Sequence, residues 1–238
     1  MTPLTLFTGW GMDPGVWDAL AESLPHFDCR RPRLDWACRG GLEGLADTLA
    51  ATLPPAAPLA GWSLGAMLAL CVAARHPQRC SALLLIGATP RFCAAADWPH
   101  GVPAGLLEDF RAQLGHAPAA LLQRFCGLQA RGEGDARGAT RALRAHADTG
   151  AATTHLAAGL DLLEHADLRP LLPQIAQPVL LLHGSDDSII PPAAAHYCAQ
   201  HLPRAALAEI AATGHAPHLS KPALVAAHLQ DWLQELHG

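Results

Sequence analysis

A chain of 238 residues, 50% hydrophobic and only 16% charged, has the apolar content for a sizeable core, which excludes global disorder. Its formal net charge of −5 lacks the basic surplus of a nucleic-acid-binding protein. No segment reaches the roughly 20 apolar residues of a membrane span, and Met1-Thr-Pro-Leu4 opens without a basic leader, so a soluble cytoplasmic protein is expected. The seven Cys form no C-x-x-C pair and their count is odd, so neither a zinc site nor a disulfide framework is expected.

Leu4–Thr8 is the first expected strand, followed by helices over Asp18–Leu24 and Leu42–Leu53. Ala57–Ala60 is a second buried strand, leading into a helix over Leu64–Arg75, and Ala82–Ile86 is a third. Val179–Leu182, a helix over Pro192–Leu202, a strand at Leu207–Ile210 and a closing helix over Ala223–Leu236 complete the series. Uninterrupted apolar runs alternating with amphipathic segments predict an α/β fold, a mostly parallel sheet of about six strands with helices on both faces. The alternation stops between about residues 91 and 165. That stretch carries four helical patterns, Leu106–Leu114, Ala119–Gln129, Ala136–Ala147 and Thr154–Glu164, separated by Gly and Pro. They predict a four-helix cap over the carboxyl edge of the sheet, where such sheets bind ligands. The expected organisation is a first core part over 1–90, a helical cap over 91–165 and a second core part over 166–238; ordinary surface helices are the alternative for the middle part.

Gly61-Trp62-Ser63-Leu64-Gly65 lies between a buried strand and a helix. A nucleophile on so sharp a turn needs small neighbours, because its backbone is strained and other chain passes close by. A serine hydroxyl needs a base, and that base needs a carboxylate to orient it. His215, in a loop after the last expected strand, is the candidate base, with His218 the local competitor. Asp187, after Val179–Leu182, is the candidate acid, with Asp186 beside it as the alternative. The order Ser, Asp, His is the one that α/β hydrolases use. An oxyanion hole needs two backbone N–H groups; Leu64 supplies one, and Trp10 in the Gly9-Trp-Gly11 turn supplies the other, unless Trp10 is simply a core aromatic.

Together these motifs resemble the α/β-hydrolase superfamily over nearly the whole chain. A narrower resemblance is to the carboxylesterases of biotin synthesis that demethylate pimeloyl-acyl-carrier-protein methyl ester. It rests on Gly9-Trp-Gly-Met12 with Trp17, Gly61-Trp-Ser-Leu-Gly65, Asp97-Trp-Pro99, Arg124-Phe-Cys-Gly-Leu-Gln129 and His215-Ala-Pro217. The resemblance implies that Phe125, Cys126, Gly127, Leu128 and Gln129 line an acyl channel. Trp10, Ser63, Leu64 and His215 match the family's other substrate contacts. The chain departs from the family at Thr8, where His is usual, and at Asp35–Gly40, which lacks the L-P-G-x-G-x-S run. The match also begins at the family's third strand.

Arg124, Arg131, Arg137, Arg141 and Arg144 face only Glu133 and Asp135 in the same stretch. Arg137, Arg141 and Arg144, at i, i+4 and i+7, share one helix face. This is either a solvated face or a dock for an acidic, phosphate-bearing partner. The family resemblance points to acyl carrier protein as that partner, met by Arg124, Arg137 and Arg141. The expected chemistry is serine ester hydrolysis without metal or organic cofactor. Hydrolysis of another acyl ester, thioester or lactone, or a non-catalytic receptor using the same pocket, are the competing expectations.

Overall fold

In the computed structural model, which describes residues 1–103 and 105–237, the apolar runs become the strands of a single parallel sheet. The strands are β1 (Thr2–Phe7), β2 (Phe27–Arg30), β3 (Ala57–Trp62), β4 (Cys80–Ile86), β5 (Val179–Gly184) and β6 (Ala205–Ile210), in the order β2-β1-β3-β4-β5-β6. The inner strands β3 and β5 are buried at every position, as continuous apolar runs require. β2 was not among the expected strands. It sits at the edge, pairs with β1, and is half-buried to exposed along its length.

Side chains alternate between the two faces with a period of two. Phe7, Leu59, Leu83, Leu85 and Leu181 belong to one core cluster; Leu6, Ala60, Trp62, Leu84, Ile86 and Leu182 belong to the other. The first face is covered by α2 (Gly41–Ala50), α3 (Leu64–Arg75) and later by α8 (Pro192–His201). The second carries α1 (Asp18–Glu22), which follows a short 3₁₀ turn at Pro14–Trp17 capped by Asp13. Helix α3 is buried from Leu64 to Ala73 and runs under the centre of the sheet.

Between β4 and β5 the chain forms α4 (Gly105–Leu114), α5 (Pro118–Gln129), α6 (Ala136–Ala145) and α7 (Thr153–His165). Pro118 opens α5, where its missing N–H costs nothing, and Asp135 caps α6 by accepting from the Gly138 N–H at 2.9 Å. The two ends of this insertion are fastened to each other. Leu168 N–H donates to Pro90 O at 2.8 Å, and the Arg91 guanidinium donates to Asp167 at 3.1 Å. The chain ends on α9 (Pro217–Ser220), a single turn outside the expected elements, and α10 (Pro222–His237).

Candidate active site

Ser63 stands between β3 and α3 with φ 57° and ψ −121°, a conformation that side-chain-bearing residues rarely adopt. Its surroundings explain the flanking glycines. A Cβ on Gly61 would lie 2.6 Å from Ala66 Cα, and one on Gly65 would lie 2.7 Å from the Thr8 carbonyl oxygen. The strained turn is held by Ser63 N–H donating to Ile86 O at 3.0 Å and by the Ser63 carbonyl accepting from Ala66 N–H at 2.9 Å. Gly9, in the loop after β1, packs against the Ser63 side chain.

The loops after β5 and β6 bring Asp187 and His215 together. Nδ1 of His215 donates to Oδ2 of Asp187 at 2.7 Å, and both side chains are fully buried. The other oxygen, Oδ1 of Asp187, accepts from the N–H groups of Ile189 at 2.8 Å and Ile190 at 3.0 Å. Burial by itself raises the carboxyl pKa. The charge and hydrogen bond of His215, the neighbouring His183 and the Ile190 N–H outweigh it, so Asp187 is held below the usual carboxylate range. Nε2 of His215 has no hydrogen-bond partner among the described residues. The His215 backbone is gripped from two sides. Its N–H donates to Gln129 O at 3.0 Å, and its carbonyl accepts from Trp62 Nε1 at 2.8 Å.

The two local competitors lie elsewhere. Asp186 is exposed, and among the described residues its carboxylate accepts only from its neighbour Ser185 Oγ, at 2.7 Å. His218 is wholly buried between Trp17 and Trp62, with ring centroids at 4.4 and 4.6 Å, and neither ring nitrogen has a hydrogen-bond partner among the described residues.

The backbone N–H groups of Trp10 and Leu64 have no acceptor among the described residues. The Trp10 ring is buried under the inserted helices. Its Nε1 donates to Leu156 O at 2.8 Å, Phe110 stacks on it at 6.0 Å, and Phe125 meets it edge-on at 5.3 Å. Along α5, Phe125, Leu128 and Gln129 share a face toward this cluster by their i, i+3, i+4 spacing. Cys126 points the other way, packing with Ala130, Leu143 and Ala216, and Gly127 leaves open space. Arg124 is exposed, bonds Gln113 at 3.1 Å and lies 5.9 Å over the Phe110 ring. Arg137 and Arg141 are exposed on α6 and form no ion pair among the described residues. Beside the loop after β1 lies a cavity of about 360 Å³, lined in part by Thr8, Gly9, Trp36 and His155.

Two contacts beside Asp187 and His215 have no motif in the sequence. His183 Nε2 donates to Ile190 O at 2.8 Å and lies 3.3 Å from Asp187 Oδ2, and burial pushes its pKa down. Glu133, in the Gly-rich turn that it shares with Asp135, accepts from Gly214 N–H, next to His215, at 3.0 Å. Its position three residues before the N-terminus of an amphipathic helix is the only sequence signal, and that reads equally as surface.

Residues 49–222 match a family described as the alpha/beta hydrolase fold. The pimeloyl-acyl-carrier-protein methyl ester esterase of Aromatoleum aromaticum is 41% identical, over 96% of this chain and 96% of that protein. The enzyme of the same name from Nitrosomonas europaea is 38% identical, over 92% and 90%. Among solved structures, a hydrolase from Oleispira antarctica superposes with a TM-score of 0.84 at 20% identity, covering 98% of this chain and 91% of that one. A thermophilic esterase from Thermogutta terrifontis gives 0.83 at 23% identity, covering 100% and 91%. These distant likenesses carry the fold, and the closer sequence relatives carry the subfamily. The chain is a member of the α/β-hydrolase family and, within it, belongs with the pimeloyl-acyl-carrier-protein methyl ester esterases.

Proposed function

We propose that this protein hydrolyses the methyl ester of pimeloyl-acyl-carrier protein to the free acid and methanol. The observation that carries the mechanism is the buried 2.7 Å bond from His215 Nδ1 to Asp187, in a fold that places Ser63 on a strained strand-to-helix turn. Ser63 Oγ attacks the ester carbonyl carbon while His215 Nε2 takes its proton. The tetrahedral oxyanion is met by the Trp10 and Leu64 N–H groups, whose hydrogens have no competing acceptor among the described residues. When the carbon–methoxy bond breaks, His215 returns the proton and methanol leaves. Water then attacks the acyl-enzyme, again deprotonated by His215, and Ser63 Oγ departs with that proton. Asp187 holds Nδ1–H throughout and stabilises the imidazolium. Every proton passes through His215 and no electron is exchanged, so the chemistry calls for no cofactor.

In this reading residues 91–165 act as a cap between two core parts, 1–90 and 166–238. The face of α5 bearing Phe125, Leu128 and Gln129 borders the acyl chain, with Trp10 as the base of the channel. Cys126 and Gly127 contribute through backbone and space rather than through a side chain turned to the substrate. Arg124, Arg137 and Arg141 meet the acidic carrier. No described helix is long and apolar enough to cross a membrane, and all seven thiols are unpaired, which supports action in the reducing cytoplasm.

Mass spectrometry of the carrier-linked methyl ester before and after incubation tests the reading. Loss of one methylene mass with the wild type, and none with Ser63→Ala, is expected. An unchanged carrier ester, with p-nitrophenyl esters still cleaved, would assign the chain to a different acyl ester.

A further inference from the structure

The end of α5 touches both loops of the triad, and one residue there has no role in the reaction as written. Glu133 lies in the turn between α5 and α6 and is half-buried. Its Oε1 accepts two hydrogen bonds, from the Gly214 N–H at 3.0 Å and from the Ser220 hydroxyl at 3.0 Å. Those donors bracket the segment bearing His215. Burial is the main influence on this carboxyl and raises its pKa, with the two hydrogen bonds acting in the opposite sense.

Four residues earlier, Gln129 O accepts the His215 N–H at 3.0 Å, and Leu128 O accepts from Ser188 Oγ, beside Asp187, at 3.2 Å. The fit is close: a Cβ on Gly214 would come within 2.8 Å of Gln129 O. Consecutive amides 214 and 215 are thus held by consecutive turns of the inserted segment. Without Glu133, the Gly214 N–H loses its acceptor and the loop keeps only one of these two anchors.

We infer that Glu133 is a positioning residue, fastening the His215 loop to the end of α5 through the Gly214 amide. It does not touch the reacting atoms. It fixes where Nε2 stands relative to Ser63 Oγ, and it links that position to the same helix that borders the acyl channel. An amide oxygen at the same place accepts the same two bonds, so the requirement is for an acceptor rather than for a charge.

The inference rests on His215 being the base, and the experiment separates the two. Hydrogen exchange at the Gly214 amide and steady-state kinetics on a p-nitrophenyl ester are measured for wild type, Glu133→Ala, Glu133→Gln and His215→Ala. Glu133→Ala should speed Gly214 exchange about tenfold, the worth of one hydrogen bond, and lower kcat about tenfold with KM changed less than about twofold. Glu133→Gln should restore both to within about threefold of wild type. A selective loss in kcat rescued by Gln is not produced by a merely weakened cap, which would move KM and leave Gly214 protected. Unchanged exchange and kcat in Glu133→Ala would overturn the inference, as would equal losses in the Ala and Gln variants. A fully active His215→Ala would instead refute the base assignment, whatever Gly214 does.

Discussion

Gly87 faces the His215 imidazole with no room for a methyl group between them: a Cβ there would lie 2.9 Å from Cε1 and 3.0 Å from Nδ1. Gly87 also has φ +52°, at the turn that leaves β4. Gly87→Ala should therefore displace the ring and lower kcat by about 100-fold, the scale of an ångström-sized misplacement. The left-handed backbone adds a stability loss of about 1–2 kcal/mol. Esterase kinetics and a urea midpoint on the same sample read the two effects, and an unchanged kcat would mean that the ring can yield without cost.

Ser63→Ala should lower ester turnover by about 10⁴ or more while the fold stays intact. A fluorophosphonate probe should label Ser63 and no other serine. Labelling elsewhere would move the nucleophile.

Asp187→Asn should lower kcat by about 10³–10⁴, because Nδ1 then faces a poorer partner and the imidazole settles in the wrong tautomer. Asp186→Asn should change it less than about twofold: the Asn oxygen still accepts from Ser185, and the carboxylate that His215 bonds is that of Asp187. Reversal of these two effects in a kcat comparison would show that the loop is used one residue out of step.

His218 predicts an acid-stability difference. Burial between Trp17 and Trp62, with His215 nearby, lowers its pKa from 6.5 to about 3, and neither ring nitrogen has a hydrogen-bond partner among the described residues. The unfolded chain takes up a proton there below pH 6.5 and the folded chain does not, so this group's contribution is intact above 6.5 and falls with pH down to about 3. The slope is about 1.4 kcal/mol per pH unit once the unfolded His is charged. His218→Phe should flatten the decline in urea midpoint between pH 6 and 4, roughly the middle of that window. Parallel declines in wild type and variant would mean that a water or a hydrogen bond keeps His218 able to charge.

The paired substitution Arg137→Ala with Arg141→Ala should raise KM for the carrier-linked ester by about tenfold, the scale of lost complementary surface charge. A small p-nitrophenyl ester should change less than about twofold, and added salt should weaken only the carrier reaction. Equal losses on both substrates would make these residues structural supports of α6.

The strands and the site differ in how they are written in the sequence. Inner strands such as Val179–Gly184 are apolar on both faces and stand out as unbroken runs. β2, Phe-Asp-Cys-Arg, has a partner on one side only and polar residues to match, so no run marks it. The expected helix over Asp18–Leu24 is α1 over Asp18–Glu22, and a 3₁₀ turn at Pro14–Trp17, begun by Pro14 and the Asp13 cap, precedes it. Around Ser63 the chemistry is local: the glycines, the turn and the helix start lie within five residues, and such a constraint is readable. Glu133 and Gly214 are 81 positions apart, and nothing near either one announces the other. Asp187 could be chosen over Asp186 in the sequence only by motif; the pairing with His215 and the two amides at Ile189 and Ile190 is a matter of three-dimensional register.

The tie between Pro90 and Leu168 has an evolutionary side. Because the two ends of the inserted segment meet at the sheet edge, its interior can be lengthened, shortened or exchanged at little thermodynamic cost, about 0.6 kcal/mol for each doubling of a flexible loop. That makes the insertion a natural place for lineages to acquire new specificities while the scaffold persists. The liberty is not complete, since the same segment supplies the acceptors at Gln129 and Glu133. A transplanted replacement inherits an obligation: it must bring acceptors of its own for two amides beside the histidine, or trade turnover for novelty.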